Sequence, residues 1–344
     1  MVNLLKFKSE ISKINDVIRI KIDVPFGVKF VCTYIFEIDG KKVIIDSGLN
    51  MGNWSKVFFT TLAENGYSIS DVDYCIITHI HTDHIGLIKK FKKKNPDLKL
   101  LMHDITHRIL KWETDKTKAD EYREEAIKVA NLMIKYGISE EQGKHVVEFL
   151  TLWPNYLQYQ EPDQLIHDGE IILSDLKILW TPGHSFGHIC IFDNKKGYLF
   201  SGDHILSRIT PHIGNFVISS ALRNEFEDQH FDNILNHYLK SLEKIDNLNP
   251  KVIFPAHQDV IYEPHKRIQE IRDHHENRLN EILAILQDKT LTPFKVSQIH
   301  FGTELDEINS YMALSEILGH LTYLEYQGRV EKTERNGKYY FQQV

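Results

Sequence analysis

Short apolar runs that end in a turn and a titratable side chain recur along this chain. Residues 17–22, 29–38 and 42–45 have strand-like length and composition, and Asp39-Gly40 is a hairpin-turn pair between the last two. Apolar residues at helical spacing occupy 54–63, and Tyr74-Cys75-Ile76-Ile77 then reads as a buried strand. Three more such runs come later: Ile178-Leu179-Trp180, Gly197-Tyr198-Leu199-Phe200 and Val252-Ile253-Phe254. Helical patterns fill 118–136 before Gly137, 140–152 before Pro154, and 264–287. Thr290-Leu291-Thr292-Pro293 reads as a linker. Beyond it, helical segments over 293–300 and 310–327 precede a hairpin with Asn336-Gly337 at its turn.

The residues just past each buried run point to chemistry. Directly after the strand at 74–77 stand Thr78-His79-Ile80-His81-Thr82-Asp83-His84-Ile85-Gly86, with four potential metal ligands in six positions. Three imidazoles and a carboxylate this close would repel as cations and be costly to bury unpartnered, so a shared charge is expected to hold them. A divalent metal fits, with His79 and His81 facing one ion and Asp83 and His84 another. The plainer reading of a lone His-x-His is a surface loop, and the spacing here argues against it.

Two ions need more ligands, and the later runs deliver them. Thr181-Pro182-Gly183-His184 offers His184 as a third ligand. Ser201-Gly202-Asp203 places Asp203 at a strand end, where it can bridge both ions, and Pro255-Ala256-His257 supplies His257 to the second.

In this order, His-x-His-x-Asp-His at 79–84, Pro-Gly-His at 182–184, Gly-Asp at 202–203 and Pro-Ala-His at 255–257 resemble the metallo-β-lactamase superfamily over roughly residues 15–262. The resemblance implies an α/β fold: an αββα sandwich of two mixed sheets flanked by helices, with its ligands on loops at one edge. It implies that His79, His81 and His184 hold one metal, that Asp83, His84 and His257 hold the other, and that Asp203 bridges them. Asp46, in Val43-Ile44-Ile45-Asp46-Ser47-Gly48, matches the family's upstream aspartate, which braces the ligand loop. His188, in Pro-Gly-His-x-x-Gly-His, is expected to stabilise its loop by hydrogen bonding and not to bind metal. His204 reads as a packed neighbour of Asp203 or a pocket residue, and the His274-His275 pair as no site.

The expected domains are a catalytic domain over 1–262, carrying a helical cap insertion at about 104–165, and a linker helix with a winged-helix-like domain over 263–344. Such a tail resembles that of a superfamily subgroup that includes lactamase-like endoribonucleases. Aromatic residues of the cap, Phe149, Trp153, Tyr156 and Tyr159, either line a substrate pocket or pack the insertion onto the sandwich; packing is favoured. Lys89, Lys90, Lys92, Lys93 and Lys94 read as the solvated start of a helix leaving the site.

Two divalent ions about 3.5–4 Å apart would bring the pKa of a bridging water to around 7 and make hydroxide the nucleophile. Asp83 would orient it or pass its proton, which makes Asp83 and Asp203 the expected catalytic residues. Zn²⁺ is the first choice, and Fe²⁺ or Mn²⁺ accept the same ligands. Fold and centre do not select the substrate. A small ester or thioester is the leading expectation, single-stranded RNA the alternative, and a metal-dependent DNA-binding regulator a further one. The 54 positions between Asp203 and His257 leave little room for the large inserted domain of the superfamily's nuclease branch.

Composition agrees with an enzyme. The 344 residues are 42% hydrophobic, enough for one large core and a small second domain. Residues 1–10 show no signal-peptide pattern, and no apolar run approaches the ~20 residues that span a bilayer, so a cytoplasmic protein with no membrane partner is expected. Cys32, Cys75 and Cys190 stand singly in apolar runs and read as buried thiols. The chain carries a net charge of −7, and residues 291–344 hold five Lys/Arg against seven Asp/Glu, which weighs against DNA while leaving RNA open. A small-molecule substrate is expected, and a homo-oligomer stays open.

Overall fold

The computed structural model describes residues 7–214 and 233–344. Residues 1–6, the start of the segment read above for a leader, lie outside the described residues.

Two sheets pack face to face. The first has seven strands in sequential order: β1 (Ser9–Ile14), β2 (Val17–Asp23), β3 (Phe30–Ile38), β4 (Lys41–Ile45), β5 (Tyr74–Ile77), β6 (Lys99–His103) and β7 (Gln164–Ile166). Strands β1 to β4 pair antiparallel, and β4 to β7 pair parallel. The second sheet runs β12 (Val252–Pro255), β11 (Tyr198–Gly202), β10 (Ile189–Asp193), β9 (Leu176–Trp180) and β8 (Ile171–Ile172), parallel only between β11 and β12.

The continuous apolar runs have a physical reason, since these strands are covered on both faces. Side chains alternate along a strand, so Cys75 and Ile77 face outward against helices while Ile76 faces the other sheet. Ile178, Phe200 and Phe254 likewise enter the layer between the sheets, whereas Leu179, Leu199 and Ile253 enter the outer layer. Helices α1 (Trp54–Glu64), α2 (Thr82–Ile85) and α3 (Ile88–Lys94) follow β4 and β5, and Trp54, Phe58 and Phe91 of α1 and α3 are buried against the first sheet. This helix–sheet–sheet–helix layering is the expected sandwich.

Between β6 and β7 come α4 (Asp104–Glu113), α5 (Ala119–Lys135) and α6 (Glu140–Leu152). Helix α4 stays with the sandwich: Thr106 Oγ1 donates to the Gly187 carbonyl at 2.8 Å, and Ile105 and Ile109 cluster with Ile80, Trp180 and Phe186. Helices α5 and α6 turn away from it. Their Val129, Ala130, Met133 and Val146 pack with Leu314 and Leu318 of the C-terminal region. The cap therefore rests on the tail, and of its aromatic residues Phe149 lies 6.3 Å from Tyr311 while Tyr156 is exposed. Three of the five lysines of α3 are engaged away from the ligand loop: Lys90 donates to Ser55 Oγ at 2.7 Å, Lys92 pairs with Asp163 at 3.0 Å, and Lys94 lies over the Phe59 ring.

The second sheet is covered by α7 (Ile234–Asp246) and α8 (Pro264–Leu286), and the tail adds α9 (Pro293–Phe301), α10 (Glu307–Tyr326) and the hairpin β13 (Val330–Arg335) and β14 (Lys338–Gln343). Asn336 and Gly337 adopt φ of +50° and +73°, as a tight hairpin turn requires. Residues 290–293 are no free linker: the Leu291 backbone exchanges hydrogen bonds of 3.0 and 2.8 Å with Phe341. One apolar cluster continues from Leu199 and Ile253 of the sheet through Ile271 and Leu279 to Leu321 and Phe341. No described helix is long and apolar enough to cross a membrane.

One buried group makes the fold sensitive to pH. Glu113 ends α4 with Oε2 enclosed and, among the described residues, without a hydrogen-bond partner, and this desolvation pushes its carboxyl up to about 8. The folded state then keeps a proton that the unfolded chain releases, so Glu113 costs stability increasingly as pH rises from about 4.5 toward about 8. Glu113→Gln, neutral throughout, is expected to raise the melting temperature at pH 8 more than at pH 5. Equal shifts at both pH values in thermal denaturation would refute this.

Candidate metal centre

Strand ends of both sheets deliver the polar residues to one edge. After β5 the backbone passes through Thr78 to His79 and His81 and enters α2, which carries Asp83 and His84. The turn after β9 brings His184, and that after β12 brings His257. Asp203 follows β11, where Gly202 adopts φ +49° and a Cβ would meet His188 Nε2 at 2.6 Å. The close approach and the left-handed backbone both call for glycine there.

All seven residues expected from the sequence come together, in two groups: His79, His81, His184 and Asp203 in one, and Asp83, His84 and His257 in the other. His79 Nε2 and His184 Nε2 each lie 3.0 Å from His81 Nδ1, and His184 Nε2 lies 3.4 Å from Asp203 Oδ2. In the second group His257 Nε2 is 3.5 Å from Asp83 Oδ2, and His84 Nε2 is 3.8 Å from Asp83 Oδ1. Asp203 reaches this group as well, with Oδ2 3.3 Å from His257 Nε2 and Oδ1 3.6 Å from His84 Nε2. These separations bracket the ~3.3 Å edge of a tetrahedron with bonds of ~2.0–2.1 Å.

The outward nitrogens fix the inward ones. His257 Nδ1–H donates to the Phe30 carbonyl at 2.6 Å, and His184 Nδ1–H to the His212 carbonyl at 3.2 Å. A carbonyl only accepts, so both rings carry their proton on Nδ1 and turn a bare Nε2 inward. His84 Nδ1 meets Asp46 Oδ2 at 2.7 Å, and His79 Nδ1 meets Thr78 Oγ1 at 3.0 Å. Asp46 in turn accepts from the Thr78 N–H at 2.8 Å and from its hydroxyl at 2.9 Å.

Five imidazole nitrogens thus face two carboxylates. Among the described residues, His84 Nε2 and Asp203 Oδ1 are buried with no hydrogen-bond partner. Burial, joined by neighbouring imidazoles, holds His79 and His81 well below the usual histidine range. Burial opposes protonation of His84 and His257 too, but the nearby carboxylates, Asp203 foremost, outweigh it and raise both. Burial works against an ionised Asp203, yet His257 and His84 hold its carboxyl far below the ordinary range. The carboxylates ask for positive charge while two of the five imidazoles refuse protons, and divalent cations fit this donor set.

His188, His204, His274 and His275 have other partners. His188 accepts from the Asp203 N–H at 3.1 Å through Nε2 and meets Thr181 Oγ1 at 2.8 Å through Nδ1, so it holds its loop by hydrogen bonds. His204 is buried, its ring 4.6 Å from that of Tyr238. His274 and His275 point to different neighbours, Thr210 and His320. Sequence reasoning missed Thr78 and His212. Thr78 was readable as the polar residue closing the strand, whereas His212 is an isolated histidine with no motif around it.

Residues 27–257 match the profile of the metallo-beta-lactamase superfamily, and residues 279–344 match that of the metallo-beta-lactamase-like C-terminal domain. The chain belongs to the metallo-beta-lactamase superfamily. It is a hydrolase of that superfamily, with a His/Asp cluster fit to bind metal. It is similar to the probable metallo-hydrolase YqjP of Bacillus subtilis, 24% identical over 328 residues, which are 95% of this chain and 97% of that protein. It is also 24% identical over 259 residues to an atrochrysone carboxyl ACP thioesterase of Aspergillus fumigatus, 74% of this chain and 59% of that protein. A metallo-beta-lactamase family protein from Thermus thermophilus superposes with a TM-score of 0.72 at 25% identity, covering 96% of this chain and 99% of the other.

The bond from Asp46 to His84 generates a prediction. Asp46→Asn keeps the shape but sets an amide N–H against the His84 Nδ1–H, favouring the tautomer that points a proton inward. Affinity for divalent metal is expected to fall ~10–100-fold, measured by chelator competition on protein whose circular dichroism is unchanged. Undiminished affinity would show that this bond does not orient the ring.

Proposed function

We propose that this chain hydrolyses a small ester or thioester with two divalent ions, Zn²⁺ being the first choice. His79, His81 and His184 would hold one ion and Asp83, His84 and His257 the other, with Asp203 between them. The observation that carries the reading is Asp203 Oδ2, which lies 3.4 Å from His184 Nε2 and 3.3 Å from His257 Nε2 and so faces both groups. When bound, the ions supply Lewis acidity that polarises a carbonyl oxygen and acidifies water.

The protein's own groups then divide the work. Asp83 turns its two oxygens toward different histidines, His84 and His257, and keeps 8% of its surface exposed. From there it orients the attacking water and takes its proton. Trp153 stands edge-on to His81 at 6.3 Å, and Ile80 with Phe186 lines up beside α4, giving an apolar flank suited to an acyl or aryl group. Nucleophilic cysteine chemistry is disfavoured: Cys32, Cys75 and Cys190 are buried, and that burial raises each thiol, Cys190 up to about 12. The ester class also draws support from the relative named as an ACP thioesterase. The engaged lysines of α3 and the acidic tail weigh against a polyanionic substrate.

The test is turnover of aryl esters, acyl thioesters, lactones, a phosphodiester and labelled single-stranded RNA by metal-analysed protein, each paired with Asp203→Ala. Ester or thioester hydrolysis is expected, with kcat/KM in the variant falling beyond the ~10–100-fold that loss of an outer hydrogen bond costs. Full turnover by the variant would overturn the bridging role. Cleavage of RNA alone would replace the ester reading with a nuclease.

A further inference from the structure

We infer that His212 is a positioning residue for His184, and that through it the C-terminal domain takes part in one half of the metal centre; this rests on the two-ion reading above. The outer hydrogen bonds of His79, His84 and His257 all end within the sandwich, on Thr78, Asp46 and Phe30. That of His184 ends on the backbone carbonyl of His212, in the segment after β11. The His212 side chain reaches the other way, into the tail. Its Nε2 lies 3.0 Å from the Met312 carbonyl and 3.0 Å from Ser315 Oγ, both on α10. The carbonyl can only accept, so Nε2 carries the proton and shares it between the two oxygens. Ser315 Oγ–H donates to the same Met312 carbonyl at 3.0 Å, which closes a three-membered polar ring.

Helix α10 is a firm anchor for this ring. Ser315 is wholly buried, and Leu314, Ile317, Leu318 and Leu321 on either side of it enter the apolar clusters shared with the cap and the sandwich. Glu316 is paired with Arg278 of α8. The chain of contacts therefore runs from a rigid helix through the His212 ring to its carbonyl, and from there to His184 Nδ1–H. That last bond keeps the bare Nε2 of His184 directed at His81 Nδ1, 3.0 Å away. Removing the anchor frees the carbonyl and lets the His184 ring rotate or exchange tautomers. The effect should fall on the ion of His79, His81 and His184 and spare the other.

The experiment uses Co²⁺ as probe on the full chain, reading stoichiometry and affinity from its visible absorption, alongside melting of the metal-free protein. Wild type is expected to take up two ions. His212→Phe keeps a ring but lacks the donor, and is expected to bind one of the two ~10–100-fold more weakly. His212→Gln retains an N–H donor and should restore most of the loss. Ser315→Ala removes one of the two acceptors, and is expected to weaken the same ion ~2–10-fold. If His212→Phe lowers melting of the metal-free protein, Ser315→Ala decides. Wild-type affinity at both positions in these variants, or equal weakening of both ions, would overturn the role of His212 while leaving the two-ion reading intact. Failure of the wild type to bind Co²⁺ would remove that reading and this inference with it.

Discussion

Five imidazoles and two carboxylates meet at one edge of the sandwich, and protons alone do not satisfy them. Hydrogen bonds reach the outer nitrogens of four rings, yet among the described residues His84 Nε2 and Asp203 Oδ1 stay buried without partners. Bringing such groups together costs free energy unless a positive charge is shared among them. The surrounding structure is organised around that demand: Asp46 and Thr78 tie the β4 and β5 ends together beneath the histidine loop, and Gly202 lets Asp203 approach against His188. A rigid two-sheet scaffold makes the convergence reproducible, because each ligand leaves the end of a strand that is packed on both faces.

Much of this was legible in the sequence, for reasons of period and spacing. Strands covered on both sides read as unbroken apolar runs, so 74–77, 178–180 and 252–254 announced themselves, and the polar residue after each run had to lie at a sheet edge. Asn336-Gly337 marked its hairpin because few other residues accept positive φ at two successive positions. Strand β1 escaped notice since Ser-Glu-Ile-Ser-Lys-Ile offers only a half-polar edge with much of its surface in water. Residues 290–293 looked like a linker through their threonines and proline, although Leu291 pairs with Phe341 fifty positions on. Long-range partners of that kind leave no local trace, and the same holds for His212 meeting Met312 and Ser315 a hundred residues away.

The cap shows the same limit. Its helices were plain from their spacing and from Gly137 and Pro154, but nothing local told that α5 and α6 would lean on α10 in preference to the sheets. Apolar stripes reveal that a helix has a buried side and not what buries it. A sequence reading therefore found the two cap helices while leaving open which module supports them.

That shared contact between cap and tail bears on how chains of this kind can diverge. Val129, Met133 and Val146 pack together with Leu314 and Leu318, and Phe294 N–H bonds the Tyr136 carbonyl across the same seam. The two pieces, far apart along the chain, pack as one apolar unit. A recombinant that took its cap from one relative and its tail from another would juxtapose surfaces that do not fit, along the same helix that carries Met312 and Ser315 beside His212.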